Sequence, residues 1–339
     1  MTGALAVLVA AGLLLVFAGA VQVRAADVIA ELTGLGRLWI GSVVLAAATS
    51  LPELATDVSA VRLGAPDLAA GDLFGSSLAN MLILAAIGYL RPVAPVFRAA
   101  TPGHAVTACL AIVLNAAAGV FVLTAEDRAG WPVGAESVLL ALGFFAGMRL
   151  VYAHRAEGGA EFPQVVAPIR TATASDLPAA VRRFGIATLG VLVAAPAFAW
   201  SAKRIAELTG LGTTFIGTWL VGLATSLPEV VTSVAAVRLG AVDLAIGNLF
   251  GSNAFNMVVF LAMDVAHPGG SIFAELDPAH AITALLAVVL MALGLAAIVL
   301  RSEGRRSLLE PGSALMLVVY LSGLWLLYAH ATGKLEAGP

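Results

Sequence analysis

The chain contains 339 residues, of which 60% are hydrophobic and 12% are charged, and its formal net charge is −3. Soluble domains carry roughly 25% charged residues, so these charges are too few to cover a water-facing surface, and a soluble enzyme is excluded. The slight negative charge gives no indication of a nucleic-acid partner. The single cysteine, Cys109, cannot form a disulfide within the chain.

Hydropathy predicts ten membrane spans, each close to the ~20 residues that a helix needs to cross the bilayer core. Ten spans with short links predict an all-α helical bundle, because lipid tolerates little other than closed hydrogen-bonded structure. The first span is expected to remain in the protein, since a signal peptide would begin with positive residues and this span does not. In chain order, the predicted spans are 3–23, 37–62, 67–90, 101–124, 133–153, 183–204, 213–238, 243–266, 277–300 and 312–330.

The 18 basic residues predict how the chain is oriented in the plasma (inner) membrane. Lys and Arg favour the cytoplasmic side, and placing the N-terminus outside puts 13 of them in the cytoplasm and five outside. Both termini are therefore predicted to lie outside. The polar stretch 154–182 contains several Gly and Pro residues and is predicted to be a cytoplasmic linker, too short for a folded regulatory domain.

An internal repeat divides the chain into two halves. Shifting the sequence by 176 positions aligns 29–81 with 205–257 at 34 identities in 53 positions. The first five-span repeat is placed at 1–153 with its core motif at 29–82. The second is placed at 183–339 with its core motif at 205–258. Because five is an odd number, the second copy is expected to be inverted in the membrane, an arrangement typical of secondary transporters.

Glu53 and Glu229 occupy matching positions near the middle of spans two and seven. A charge at the bilayer centre costs roughly 2.5–3.5 kcal/mol on insertion scales, and no Lys or Arg lies mid-span to pair with either glutamate. The partner must be a proton, a metal cation or water in a cavity. The structural alternative is a protonated glutamate that is hydrogen-bonded to a neighbouring helix.

Pro52 and Pro228 immediately precede these glutamates. Proline removes one N–H from a helix and clashes with the carbonyl four residues earlier, so both helices should kink. The kinks should free carbonyl groups within 46–49 and 222–225, where they could line a cation site. The alternative is a kink that serves packing alone.

Further oxygen atoms are expected on the same faces. The threonines lie four residues before each glutamate, and serines and asparagines recur at i, i+4 in spans three and eight. Gly71 and Gly75, like Gly247 and Gly251, should let those helices approach the glutamate helices closely. Oxygen ligands of this kind favour Ca²⁺ or Na⁺. The side chains concerned are Thr49, Ser50, Ser76, Asn80, Thr225, Ser226, Ser252 and Asn256.

The paired segments ATSLPE…GDLFGSSLAN and ATSLPE…GNLFGSNAFN resemble the alpha-repeats of the cation/calcium exchanger superfamily, and most closely its sodium/calcium exchanger branch. The resemblance implies an electrogenic Na⁺/Ca²⁺ antiporter with alternating access, in which spans one and six slide as a gate. No cofactor is implied beyond the transported ions, and the oligomeric state stays open.

The same resemblance assigns roles to the site residues. Glu53 and Glu229 would bind Ca²⁺ and share Na⁺, with Thr49 and Thr225 adding ligands. Asparagines would line the central position, and serines together with two backbone carbonyls would serve the Na⁺ sites. These residues are Asn80, Asn256, Ser50, Ser226, Ser76, Ser252, Ala46 and Gly222.

The two copies differ at Asp57 and Asp72, which match Ser233 and Asn248. Asp57 lies one turn beyond Glu53 on the same helix face, so it is either an additional carboxylate on the outer pathway or a solvated residue near the helix end. Asp72 adds a carboxyl where the second copy has an amide. The added carboxyl affects the charge of the site and its coupling to protons, so the ion stoichiometry stays open.

Two matched pairs lie near helix starts. Asp67 and Asp243 are predicted to be N-caps. His104 and His280 open spans four and nine, where a structural hydrogen bond is favoured over a pH-sensing role.

Three alternatives remain open. The first is an H⁺/Ca²⁺ or other cation antiporter on the same scaffold, although the AEH-like run of proton-coupled relatives is absent. The second is an intramembrane hydrolase, which would require a GxGD pair, an HExxH motif or a Ser/His dyad. The third is an ion channel, against which the paired mid-membrane glutamates of two inverted repeats argue.

Overall fold

The computed structural model describes residues 2–88, 96–126, 133–154, 176–209, 226–267, 269–300 and 311–331, and in these ranges the regular structure is entirely helical. A π-helical segment at Ile40–Leu45 joins two of the helices, and a short 3₁₀ turn lies at Ile272–Ala274. The α-helices are α1 (Thr2–Thr33), α2 (Gly36–Trp39), α3 (Ala46–Thr49), α4 (Leu51–Arg62), α5 (Pro66–Ile87), α6 (Val96–Ala99), α7 (His104–Thr124), α8 (Ala135–His154), α9 (Leu177–Thr209), α10 (Leu227–Arg238), α11 (Val242–Ala266), α12 (Ala279–Leu300) and α13 (Pro311–Ala331).

Eight of the described helices are long and apolar enough to cross a membrane, and a bent pair forms a ninth candidate span. The bent pair is Gly36–Thr49 with Leu51–Arg62, which corresponds to predicted span two. Predicted span seven is described only in its second half, α10, because 210–225 lie outside the described ranges. Most of the predicted linker 154–182 also lies outside them. The chain is an all-helical, multi-pass integral membrane protein.

The helices α1 and α9 are longer than the predicted spans 3–23 and 183–204. Their 32 and 33 residues correspond to about 48–50 Å at 1.5 Å per residue, whereas the hydrocarbon core is about 30 Å thick. They pack along each other, and a small apolar cluster between them, built on Leu15, Ala18 and Val191, is separate from the main core. The contact between α1 and α9 thus has an apolar cluster of its own, while Val23, Ala26, Ile29 and Ala30 of α1 belong to the main core.

The centre of the bundle is formed by α5 and α11, the most buried of the candidate spans. Phe74 on α5 and Phe250 and Phe260 on α11 are fully buried. The matching contacts cross between the repeats: α5 packs against α12, and α11 packs against α7. Because α5 matches α11 and α7 matches α12 in the repeat, each half uses the same surface to bind the other.

Two matching hydrogen-bonded clusters join the repeats, and we term them latches. In the first latch, Asp67 Oδ1 accepts from the Asp277 N–H at 2.8 Å and lies 3.2 Å from Nε2 of His280. In the second, Asp243 Oδ1 lies 2.9 Å from Nε2 of His104, and the carboxylate accepts from the N–H and the hydroxyl of Thr101. The prediction of a structural hydrogen bond for each histidine is confirmed.

The prediction that Asp67 and Asp243 are N-caps is wrong. The N-cap positions are Ala65 and Ala241, which make no side-chain cap. Each aspartate lies in the first turn of its helix and accepts hydrogen bonds from the other repeat instead. A carboxylate near a helix N-terminus is favoured by the helix dipole, so this placement serves the helix and the contact between repeats together.

Candidate cation-binding site

The helix of predicted span two breaks at Ser50, where φ is −89° and ψ is 2°. The two parts of the span meet at 41°, which confirms the predicted kink. Ser226 in the second repeat has nearly the same backbone conformation, with φ −84° and ψ 11°. Pro52 and Pro228 occupy the first turn of α4 and α10, where proline is well tolerated because the first N–H groups of a helix lack partners. The predicted kink is thus the start of a new helix.

Glu53 and Glu229 lie in the first turn of α4 and α10. Both are buried, and no N–H or O–H of the described residues donates to any of their four carboxylate oxygens. The two carboxylates lie near enough to interact with each other. A buried carboxylate without a hydrogen-bond donor is costly, so this arrangement is satisfied either by a bound cation or by protonation.

Thr49 connects the two repeats at the break. Its Oγ1 lies 3.2 Å from the Ala46 carbonyl oxygen, 3.2 Å from Oδ1 of Asn248 and 3.5 Å from Oγ of Ser252, and the side chain also lies beside Glu229. The Ala46 carbonyl accepts a second hydrogen bond, from the Ser50 N–H at 3.0 Å. It would have to give up one of these bonds to bind a cation.

Asparagines line the place where α5 and α11 cross. Asn80 Nδ2 donates to Oδ1 of Asn253 at 2.8 Å, and Asn253 Nδ2 lies 3.4 Å from the Ser77 carbonyl oxygen. Oδ1 of Asn80 has no hydrogen-bond partner among the described residues. The side-chain oxygen and nitrogen of buried Asn256 also have none there. These amide atoms are therefore free of hydrogen bonds from the described residues and could bind further ligands.

Serines from opposite repeats complete the cluster. Ser226 Oγ donates to Oγ of Ser76 at 3.3 Å, while Ser50 Oγ is buried and has no hydrogen-bond partner in the described part of the chain. The structure thus brings together most of the predicted site residues. Thr225 and Gly222 lie outside the described residues.

Small residues allow this close approach, as the glycine spacing predicted. A Cβ on Gly251 would lie 2.3 Å from the Ser42 carbonyl oxygen, and one on Gly247 would lie 3.0 Å from the Leu38 carbonyl oxygen. The α11 glycines therefore pack against the backbone of α2 and the π-helical segment. No described atom lies within 4 Å of a Cβ on Gly75, and the nearest to a Cβ on Gly71 is Cε1 of His280 at 3.5 Å.

Sequence reasoning missed Asn253, Asn115 and the π-helical segment. Asn115 Nδ2 donates to the Asn253 carbonyl oxygen at 3.1 Å and to that of Ala111 at 2.9 Å, and it braces α11 from α7. A polar amide in the middle of an apolar span is a signal for such a role. The repeat itself hid the signal, since position 115 matches Met291.

Asp57 and Asp72 lie beside the candidate site. Asp57 is buried on α4, and its carboxyl meets that of half-buried Asp72 on α5. Both also lie near enough to Glu53 to affect it electrostatically. At the matching place in the second repeat, Asn248 Nδ2 donates to Oγ1 of Thr232 at 3.1 Å.

The donor set has the chemistry of a site for a hard cation. All the ligand atoms on offer are carboxylate, amide, hydroxyl or carbonyl oxygens, which suit Ca²⁺ and Na⁺. Within the described ranges, no group of three or more His, Cys, Asp or Glu side chains is arranged to hold a metal. Two carboxylates would therefore have to be supplemented by neutral oxygens.

Comparison with known proteins identifies what the chain is similar to. The family model described as sodium/calcium exchanger protein matches residues 3–150 and again 180–329. Over 284 residues the chain is 28% identical to inner membrane protein YrbG of Escherichia coli, covering 81% of this chain and 82% of that protein. It is 24% identical over 279 residues to sodium/calcium exchanger MaX1 of Methanosarcina acetivorans, covering 71% and 76%.

Among solved structures, the fold matches that of the sodium-calcium exchanger NCX_Mj with a TM-score of 0.70. The match covers 95% of this chain and 97% of that chain at 21% sequence identity. The two family-model matches divide the chain where the internal repeat does.

Proposed function

Because the chain belongs to the sodium/calcium exchanger family, and so is a transporter rather than an enzyme, we propose that it exchanges Na⁺ for Ca²⁺ across the membrane by alternating access. The observation that carries this proposal is the pair of buried carboxylates, Glu53 and Glu229. They come from opposite repeats, lie near each other, and receive no hydrogen bond from the described residues.

A bound Ca²⁺ would supply the charge that these carboxylates lack. Two carboxylates neutralise one Ca²⁺, and Thr49 with Thr225 would add neutral oxygen ligands. The same carboxylates, helped by the serines, Asn80, Asn256 and the carbonyls of Ala46 and Gly222, would alternatively hold several Na⁺ ions. Because either set of ions neutralises the same charges, binding one excludes the other, and exchange follows. Three Na⁺ for one Ca²⁺ would move a net charge.

The α1–α9 pair is the element that we propose to move. Its apolar cluster around Leu15 and Val191 is separate from the core around α5 and α11, which α1 joins through Val23, Ala26, Ile29 and Ala30. A shift of the pair would therefore slide this end of α1 along the core. Gly12 and Gly190 bring α1 and α9 close together, which favours movement of the two helices as one body. Such a shift would open the site to one side of the membrane and close it to the other.

The proposed location is the inner membrane, with both termini outside. The distribution of Lys and Arg supports this orientation, and YrbG, a relative over most of its length, is described as an inner membrane protein.

The test is ⁴⁵Ca²⁺ uptake into proteoliposomes that are loaded with Na⁺ and diluted into Na⁺-free buffer. Uptake that requires the Na⁺ gradient and is accelerated by an inside-positive potential is the expected result, since Na⁺ would leave with more charge than Ca²⁺ brings in. A matched set of vesicles carries only a pH gradient. Uptake in that set alone would contradict the proposal and indicate exchange of H⁺ for Ca²⁺.

A further inference from the structure

The side-chain amide of Asn80 on α5 is held in one orientation by a residue of the other repeat. Its Nδ2 donates to Oδ1 of Asn253 on α11 at 2.8 Å, and both side chains are fully buried. The oxygen and nitrogen of an amide point in different directions from the same carbon, and only the oxygen can bind a cation. Since Nδ2 faces Asn253, Oδ1 is turned away from it and has no partner among the described residues.

This oxygen belongs to the face of α5 that meets the second helix break. Asn80 follows Ser76 by four residues, so the two side chains lie on one face of the helix, one turn apart. Ser76 Oγ accepts a hydrogen bond from Oγ of Ser226, three residues before Glu229. If the Asn80 amide were turned over, its NH₂ group would replace the oxygen there and repel a cation. The orientation of the amide thus decides whether Asn80 offers a ligand.

Asn253 is itself held in place by two other helices. Its backbone carbonyl accepts from Nδ2 of Asn115 on α7 at 3.1 Å, and its own Nδ2 lies 3.4 Å from the Ser77 carbonyl oxygen on α5. With Nδ2 directed at that carbonyl, Oδ1 is left to accept from Asn80. The hydrogen bonds therefore run from α7 through Asn253 to the Asn80 amide.

The matching asparagine of the second repeat is not oriented in this way. Asn256 is fully buried, and neither atom of its amide has a partner in the described part of the chain. The residue that corresponds to Asn253 is Ser77, whose hydroxyl donates to the Leu73 carbonyl of its own helix. The sequence difference between Asn253 and Ser77 thus coincides with a difference in how the two asparagines are held.

We propose that Asn253 is a positioning residue of the cation site, which orients the Asn80 amide so that Oδ1 faces the bound ion. This inference rests on the proposed function for the identity of the ion. Removing a group that orients a metal ligand typically lowers metal affinity by roughly 10–100-fold. Asn253→Ser removes the acceptor and lets the amide turn, so the dissociation constant for Ca²⁺ should rise about tenfold, the low end of that range.

The test is calorimetric titration of Ca²⁺ into the purified full-length protein in Na⁺-free detergent solution. Asn253→Ser should bind Ca²⁺ about tenfold more weakly than the wild type. The matched control is Ser77→Ala, which changes the corresponding residue of the first repeat, keeps the Ser77 backbone carbonyl and should leave the dissociation constant unchanged. Thermal unfolding in detergent without Ca²⁺ checks that each variant folds. A loss in Ser77→Ala equal to that in Asn253→Ser would overturn the proposal.

A conservative variant distinguishes the acceptor from the rest of the side chain. Asn253→Asp keeps an oxygen that can accept from the Asn80 amide, so it should bind Ca²⁺ at least as tightly as the wild type. If its affinity falls as far as that of Asn253→Ser, the proposed acceptor role is wrong.

A double variant separates orientation from a general effect on structure. Asn80→Ala removes the amide and should itself weaken Ca²⁺ binding. Adding Asn253→Ser to it should weaken binding no further, because no amide remains to be oriented. Additive losses in the double variant would mean that Asn253 acts on the site by another route, and they would overturn the proposal.

These titrations also distinguish this inference from the exchange function. Equal Ca²⁺ affinity in the wild type and Asn253→Ser would overturn the positioning role and leave exchange untouched. A wild type that binds Ca²⁺ but takes it up without a Na⁺ gradient would contradict Na⁺ exchange, while a tenfold loss in Asn253→Ser would still support the positioning role. Absence of Ca²⁺ binding in the wild type would overturn both.

Discussion

In the first repeat, Glu53 is followed by Asp57, which meets Asp72 on the next helix; in the second repeat, Glu229 is followed by Ser233, and Asn248 is tied into hydrogen bonds. The helix breaks themselves are alike, with Ser50 and Ser226 in nearly the same conformation. Both copies thus have the helix break that places a glutamate in the first turn of the next helix, whereas the charged residues around that glutamate differ. The divergence gives the two faces of an otherwise symmetric transporter different surroundings for an ion.

The largest expected effect treats the two repeats alike. Glu53→Gln and Glu229→Gln should each reduce Na⁺-driven ⁴⁵Ca²⁺ uptake by ~100-fold or more, because removing one partner of a buried charge pair costs about 3–5 kcal/mol. Folding should be retained, since none of the described residues donates a hydrogen bond to either carboxylate. A single variant that transports at the wild-type rate would mean that its glutamate does not bind the ion.

The next effect concerns the packing of α11 against the π-helical segment of the first repeat. Gly251→Ala would place a Cβ 2.3 Å from the Ser42 carbonyl oxygen, and overpacking of this kind costs about 1–3 kcal/mol. We expect a clear fall in the unfolding temperature. It is measured in detergent, by size-exclusion chromatography of samples after heating. The control is Gly185→Ala on α9, where no described atom lies within 4 Å of the new Cβ. Equal unfolding temperatures for the two variants would contradict the close approach.

The latches test whether the two ends of the bundle are equally fixed. In the second latch the Asp243 side chain is 24% exposed, whereas in the first latch the Asp67 side chain is 55% exposed. Asp243→Asn should therefore lower the free energy of unfolding by about 1–3 kcal/mol, the cost of disrupting buried hydrogen bonds to a charged group. Asp67→Asn should cost less than about 1 kcal/mol, as for exposed ion pairs. Thermal unfolding in detergent compares them, and the reverse order would refute the distinction.

The smallest effect concerns the amide that only the second repeat carries. Asn253→Ser copies Ser77 from the first repeat and removes the acceptor of the Asn80 amide. A buried hydrogen bond contributes about 0.5–1.5 kcal/mol, so a modest loss of stability is expected. Ser77→Ala is the matched change in the other repeat, because the Ser77 hydroxyl donates to the Leu73 carbonyl of its own helix. A larger loss for Ser77→Ala would contradict the role given to Asn253.

Much of this arrangement could be predicted from the sequence because each informative residue occurs at the same place in both copies of the repeat. Paired glutamates after paired prolines predicted the break and its carboxylates, and glycine spacing predicted the close approach of α11. The latches were predicted only in part. A histidine at a helix start indicates a hydrogen bond, but the partner, an aspartate some 140 positions away in the second latch, is fixed by how the repeats dock. Asn253 and Asn115 were missed for a different reason: the matching positions carry Ser77 and Met291, so the repeat did not single these amides out.

The latches and the Asn80–Asn253 bond also bear on biosynthesis. Each ties a residue of one half to a residue of the other, so the first half cannot satisfy its own polar groups. A ribosome working at about 5–20 residues per second needs roughly ten to thirty seconds to complete the second half. During that interval Asp67 and Asn80 lack the partners that the second half supplies. The nascent chain is therefore expected to depend on the insertion machinery until its second repeat arrives.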